Sequence, residues 1–204
     1  PGAKRLLFEL SYTTGIAQAP GSTNCTTIKN YTAVGVFSQE QHCFDTNGQK
    51  IYVKDGENLV EQWAYNSDGL AIKYTDPSGG VTEYGYDAKR RKTYEKLPNN
   101  GFAREFFYTY EDTFNRLTEF RETMRPWNVS SAAITRTTKY KIDPVNGNVL
   151  WIEDPLGNKD LFDYDTYGNV VRHVDKLGKE KFFYYGPTGH FLTTAWQNVT
   201  DTDG

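Results

Sequence analysis

Three histidines, His42, His173 and His190, are the side chains of this sequence best suited to acid–base or metal chemistry. No two of them stand at the HxH or HxxxH spacing that brings two imidazoles to one metal ion. The sequence also contains no G-x-S-x-G nucleophile elbow, no phosphate-cradling glycine loop and no dinucleotide fingerprint. We therefore predict a protein that is not an enzyme and that needs no metal and no cofactor.

Charged residues that recur with the chain's own period favour a structural role. Asp154 and Asp165 each begin a turn, and equivalent acidic residues return once in each repeat described below. Catalytic pairs do not recur in this way, so these carboxylates are predicted to cap turns. The one dense basic run, residues 89–92, is predicted to be a solvated turn that has lost its glycine; the alternative is a grip on a phosphate or an acidic glycan.

The two cysteines and four glycosylation sequons point to an oxidising compartment. Cys25 and Cys43 are the only cysteines, and we predict that they form one disulfide, although two free thiols remain the alternative. The Asn-x-Ser/Thr sequons lie outside the regular repeats, at Asn24, Asn30, Asn128 and Asn198. Together these features predict an extracellular or cell-surface glycoprotein.

The elements that carry these residues are predicted to be strands. Fifteen tyrosines, abundant glycine and the absence of a 3.6-residue apolar period indicate an all-β protein. A marker aromatic recurs at intervals of 21 to 30 residues, and a second aromatic usually stands two residues before it, on the same face of a strand. The markers are Phe44, Tyr65, Tyr86, Tyr110, Tyr140, Tyr164 and Tyr185. The predicted repeat core is Trp63, Tyr65, Tyr84, Tyr86, Tyr108, Tyr110, Tyr140, Phe162, Tyr164, Phe183 and Tyr185.

These motifs resemble a known repeat family. F-D-Y-D-T-Y-G-N-V at residues 162–170, Y-G-Y-D at residues 84–87 and the D-P-x-G turns resemble RHS/YD repeats over roughly residues 43–195. Such repeats occur in bacterial polymorphic and insecticidal toxins, in wall-associated proteins and in teneurins. The resemblance implies stacked two-stranded β-hairpins that form a curved or rolled continuous sheet. In the toxin members the repeats build a shell.

The predicted organisation has three parts. Residues 1–42 form either a cap on the first repeat or an arm that exchanges a strand with another copy. Residues 43–195 form the repeat domain, with an insertion at residues 121–138, and residues 196–204 form a polar tail.

Three classes of function follow from this organisation. The first is a structural or assembly module, either part of a shell or the subunit of a surface filament that polymerises with itself through its N-terminal strand. The alternatives are an adhesion module that binds a glycan or a cell surface, and a shell fragment of a toxin-delivery protein. The net charge of −3 gives no general attraction to nucleic acid. No apolar run approaches the roughly 18 residues of a membrane span.

Overall fold

The computed structural model describes residues 7–33, 36–99, 101–126 and 132–198. Within these ranges it contains sixteen strands and no helix, so the all-β prediction is confirmed. The strands are β1 Phe8–Thr13, β2 Asn24–Ala33, β3 Val36–Phe44, β4 Lys50–Lys54, β5 Val60–Tyr65, β6 Ala71–Thr75, β7 Val81–Tyr86, β8 Lys92–Lys96, β9 Phe102–Tyr110, β10 Leu117–Pro126, β11 Ile134–Ile142, β12 Val149–Glu153, β13 Lys159–Tyr164, β14 Val170–Val174, β15 Glu180–Tyr185 and β16 Leu192–Gln197.

The strands form one sheet whose order is the chain order from β1 to β16. Neighbouring strands run antiparallel, as tight turns between consecutive strands require. The chain forms two compact units, Pro1–Arg104 and Glu105–Gly204.

Eight of the turns are held by the side chain of their first residue. In the turn that starts at Asp154, Oδ1 accepts hydrogen bonds from the backbone N–H of Leu156 at 2.9 Å and of Asn158 at 3.0 Å. Asp165 does the same with Tyr167 and Asn169, both at 2.9 Å. The prediction of turn-capping carboxylates is therefore confirmed. The same pair of bonds recurs at Asp45, Asp55, Asn66, Asp76, Asp87 and Asp175.

A β-bulge stands beside the marker position of the repeats. Asp163 pairs with Arg172, but Tyr164 pairs with Val170, so Val171 is an extra residue in β14. A bulge of this kind removes one residue from the hydrogen-bond ladder and bends the strand locally. The corresponding extra residues elsewhere are Ile51, Ile72, Thr93, Leu150 and Thr193.

The fifth repeat departs from the prediction. Its bulge lies between Lys141 and Ile142, so Ile142 and not Tyr140 occupies the marker position. Tyr140 pairs with Ile152 as Phe162 pairs with His173, which places Tyr140 two residues before the marker. The following turn is one residue longer than usual, with the N–H of Asp143 donating to the carbonyl of Asn148 at 2.8 Å. Because of this extra residue, the marker position of the fifth repeat cannot be found in the sequence by counting back from the turn.

The aromatic face is half-buried. In β13, Asp160, Phe162 and Tyr164 are partly buried, whereas Lys159, Leu161 and Asp163 are exposed. All eleven predicted core aromatics are half-buried and none is fully buried, because a single sheet covers each side chain from one side only. The buried cluster of the first compact unit lies elsewhere, where a loop covers Cys25, Cys43 and Tyr52 with Ala19.

Candidate functional site: the tyrosine ladder and the turn ladder

Three marker tyrosines join their repeat to the one before it. Their hydroxyl groups donate to the carbonyls of residues 15 positions earlier: Tyr65 to Lys50 at 2.8 Å, Tyr86 to Ala71 at 2.9 Å and Tyr164 to Val149 at 2.8 Å. Each accepting residue pairs with the preceding marker and stands beside that repeat's bulge. The hydroxyl therefore satisfies a carbonyl at the point where the bulge interrupts the ladder. We call this set of bonds the tyrosine ladder.

A second set of contacts joins consecutive turns, and we call it the turn ladder. Side chains donate to turn carbonyls of the neighbouring repeat: Gln49 Nε2 to Gly69 at 3.1 Å, Arg90 Nη2 to Asp68 at 2.6 Å and Asn169 Nδ2 to Gly189 at 2.7 Å. Aromatic rings add to it in the second compact unit. A Cβ placed on Gly189 would lie 2.5 Å from the Tyr167 ring, and one on Gly147 would lie 2.7 Å from the Phe114 ring.

The basic run at residues 89–92 belongs to this turn system. Arg90 has the positive φ of 65° that glycine adopts in other turns, in keeping with the predicted loss of the glycine. Its side chain nevertheless contacts the preceding turn, Arg91 Nε pairs with Asp87 Oδ2 at 2.7 Å, and Lys92 Nζ pairs with Glu95 at 2.6 Å. Residues 89–92 therefore lie at a turn, as predicted, and also connect it to the preceding turn.

Neither ladder is predicted from the sequence, although the sequence contains one signal of the tyrosine ladder. The marker is tyrosine and not phenylalanine in most repeats, which indicates a task for the hydroxyl group. The turn ladder left no comparable signal because its donors are of three different types, glutamine, arginine and asparagine.

The pKa shifts on the sheet follow from these hydrogen bonds. The hydrogen bond to Glu61 at 2.5 Å raises the pKa of Tyr74 to about 12, with partial burial adding to it. For Asp154, burial by itself raises the pKa, but hydrogen bonds from Asn158, Lys176 and Leu156 outweigh it and lower the pKa to about 2. Both groups therefore keep one protonation state near neutral pH, which suits a structural role.

The three histidines lie in β3, in β14 and in the turn after β15. The His173 ring stacks on Phe162, with centroids 4.9 Å apart, and its Nε2 lies 2.9 Å from Asp160 Oδ1. His42 Nε2 lies 3.5 Å from Glu40, and His190 is exposed in a turn. Among the described residues no group of three His, Cys, Asp or Glu side chains is placed to hold a metal ion.

Cys25 and Cys43 face each other across β2 and β3. Their Cα atoms are 4.1 Å apart, the sulfur atoms are joined at 2.09 Å, and both side chains are buried. Among the sequons, Asn24 is exposed at the start of β2 and Asn30 is half-buried within it. Asn198 is exposed and donates from Nδ2 to Glu180 at 3.1 Å, whereas Asn128 lies outside the described residues.

The N-terminal strand pairs with its own chain. β1 lies antiparallel to β2, from Phe8 opposite Asn30 to Thr13 opposite Cys25, and all six of its residues are exposed. Residues 1–6 lie outside the described ranges. The described ranges contain no helix that is long and apolar enough to cross a membrane.

Comparison with known proteins identifies the repeat. Residues 65–101 match the RHS Repeat family model, and no curated protein matches the chain. Among solved structures, TcdB2-TccC3-Cdc42 aligns with a TM-score of 0.58 and 15% identity, covering 88% of this chain and 11% of that one. TcdB2-TccC3 aligns with a TM-score of 0.57 at the same identity and coverage. A Tc holotoxin pore from Photorhabdus luminescens aligns with a TM-score of 0.56 and 15% identity, covering 85% of this chain and 10% of that one.

This chain therefore spans about a tenth of the length of the structures it matches. At 15% identity the likeness concerns the fold, and the fold is shared over most of the present chain. Residues 65–101 of this chain therefore contain an RHS repeat, and the chain shares the fold of these structures over most of its length.

Proposed function

We propose that this chain is a length of wall in an extracellular β-repeat shell and has no catalytic role of its own. The observation that carries the proposal is the pair of ladders. Tyrosine hydroxyls and turn side chains satisfy main-chain groups of the adjacent repeat, so a repeat is completed by its neighbour. This arrangement suits a continuous wall better than separate binding modules.

The nature of the matched structures favours a toxin-delivery shell within this class. One of them is named as a Tc holotoxin pore, and another joins the names TcdB2, TccC3 and Cdc42. On that basis we propose that this chain also works in an assembly with other proteins.

Electron microscopy of the native full-length protein tests the proposal. We expect a hollow particle whose wall is one sheet thick. An extended monomer with solvent on both faces of the sheet would contradict a shell.

A filament is the second candidate, and β1 is the observation that favours it. Leu7, Phe8, Leu10 and Tyr12 are exposed to between 44% and 73%, although β1 is paired with β2. If β1 paired with a strand of a neighbouring copy, these side chains would be buried there. Deleting residues 1–12 should abolish polymers and leave folded monomers if β1 is an exchange arm. Unfolded monomers would instead identify β1 as the cap of its own repeats.

Glycan or cell-surface adhesion has weaker support. The half-buried Phe182 and the exposed Trp196 form a stacked pair with centroids 4.5 Å apart, and the Trp196 ring is a surface on which a sugar ring can rest. A second surface is the cleft of about 460 Å³ beside residues 19–21, whose lining includes Trp63, Gln62 and Lys73. Trp196→Ala should reduce binding to a glycan array if adhesion is the function. Unchanged binding would exclude this aromatic pair as the site.

A further inference from the structure

The hairpin of β10 and β11 reaches beyond the strand that follows it. β11 begins at Ile134, but β12 pairs only with residues 139–142 of β11. Residues 134–138 pair with β10 on one side and have no strand on the other side among the described residues. We call residues 121–125 and 134–138 the β10–β11 arm. A strand paired on one side only presents alternate N–H and C=O groups to any further strand.

The arm carries an unbalanced positive charge. Arg121, Arg125 and Arg136 stand against the single carboxylate of Glu122, so the arm has a net charge of +2 in a chain whose net charge is −3. No salt bridge joins these three arginines to a carboxylate of the described residues. The connecting residues 127–133 contain no charged side chain.

Neighbouring strands in the same compact unit pair their charges. Glu153 bridges Lys139 at 3.2 Å and Lys159 at 3.3 Å, and Arg172 pairs with both Asp163 and Glu180. Arg121 is different, because its guanidinium stacks on Phe107 at 4.3 Å from the ring centroid. Its buried Nε has no hydrogen-bond partner within the described part of the chain. Unmatched charge and an open strand edge therefore coincide on the arm.

We propose that residues 134–138 bind an extended acidic segment of a partner protein as an added β-strand. Main-chain hydrogen bonds to β11 supply the affinity, and Arg125 and Arg136 select for carboxylates. Both arginines are exposed, Arg125 on β10 and Arg136 on the edge strand β11, and so are Ile134 and Thr135 of β11. A second copy of this chain fits less well, since two arms of net charge +2 repel each other when placed side by side.

Hydrogen exchange with a model peptide tests this proposal. The probe is a peptide of about nine residues, the length of a strand, that alternates glutamate with valine or threonine. We expect it to protect amides of residues 134–138 and to bind more weakly as salt rises. The same peptide with lysine in place of glutamate should neither bind nor protect these amides.

Charge reversal on the arm supplies the matched variant. R125E/R136E should weaken binding of the acidic peptide at least about tenfold. K73E/K141E makes the same change in net charge at two lysines that do not belong to the arm and should bind as the wild type does. Thermal unfolding checks that each variant folds, and R125Q/R136Q replaces the reversal variant if that one does not.

Three results would overturn the proposal. The first is that the glutamate and lysine peptides bind equally well. The second is that the glutamate peptide protects amides outside residues 134–138 from hydrogen exchange. The third is that the amides of residues 134–138 are already protected without peptide while the protein has the mass of a dimer. The last would assign the edge of β11 to a second copy of the chain.

Discussion

The hydroxyl group explains why the marker residue is usually tyrosine and not phenylalanine. In β13 the ring of Tyr164 shares the half-buried face with Phe162, which phenylalanine would do equally well. Only the hydroxyl reaches the carbonyl of Val149 beside the preceding bulge. A carbonyl left without a partner at a partly buried position costs free energy, so the hydroxyl has an energetic role.

Removing that hydroxyl alone should therefore be costly. We expect Tyr164→Phe to lower the free energy of unfolding by about 1–3 kcal/mol. Tyr185→Phe is the matched control, because the Tyr185 hydroxyl has no hydrogen bond to any described residue. Its effect should stay within about 0.5 kcal/mol. Urea unfolding of both variants measures the difference, and equal losses would remove the tyrosine ladder from the account of stability.

Acid should weaken the turns in a defined pH range. The pKa of Asp154 is lowered to about 2 by Asn158, Lys176 and the turn backbone, against the opposing effect of burial. A depressed folded-state pKa stabilises the protein above the unfolded-state pKa of about 3.9, and this stabilisation is lost as pH falls towards about 2. Asp154→Asn keeps an acceptor for the turn but no charge. Its urea midpoint should therefore depend less on pH in this window than that of the wild type, and parallel profiles would contradict the assignment.

At the scale of elements, the turns were predictable and the bulges were not. An acidic or amide residue followed by glycine marks a turn, because the carboxylate caps backbone N–H groups and glycine accepts positive φ. A bulge adds one residue to a strand, but no particular residue type marks it, as the extra residues Ile51, Thr93 and Val171 show. For the same reason Tyr140 was placed at the marker position that Ile142 occupies.

The turn ladder can be measured with two glycines. Gly157 has a φ of 88° with open space around it, whereas Gly189 has a φ of 70° and lies against the Tyr167 ring. Gly157→Ala should cost about 1–2 kcal/mol from backbone conformation alone. Gly189→Ala should cost more, because its new methyl group displaces the ring. In a Tyr167→Ala background, where the ring is absent, Gly189→Ala should lower the free energy of unfolding only as much as Gly157→Ala does. If the effects of Gly189→Ala and Tyr167→Ala simply add, the ring contact is refuted.

The covalent link between β2 and β3 is open to a direct test. Cys25 and Cys43 are separated by 18 positions, and a loop of that length predicts about 3 kcal/mol of stabilisation. Mass spectrometry of the non-reduced native protein should show the two peptides linked. The double variant to alanine should unfold at lower urea concentration, and alkylatable thiols in the native protein would disprove the bond.

At the scale of the whole molecule, the sheet has too little core for its repeats to fold singly. Only five apolar side chains are buried among the described residues: Ala19, Cys25, Cys43, Tyr52 and Ile142. The sequence predicted the strands and their aromatic face but not this shortage, because alternation marks a face without indicating what covers it. Stability must then come from contacts between consecutive repeats.

A fragment of the two most regular repeats should therefore be unfolded. Residues 146–198 contain both turn-ladder contacts of Gly189, yet Gly147 and Gly189 are their only fully buried residues. Far-UV circular dichroism of this fragment should show no cooperative urea transition, whereas the full chain should show one. A sigmoidal transition for the fragment would mean that two repeats suffice.

The strict chain order of the strands has a consequence for how the chain can fold. Since each strand pairs with the one before it and the one after it, no strand waits for a distant partner. A polypeptide that leaves a narrow secretion channel with its N-terminus first can fold strand by strand as it emerges. Each new hairpin adds to an edge that is already formed, and the loop that must close is only a few residues long. The direction of synthesis and the direction of assembly then coincide, and the portion still inside the channel need not be folded.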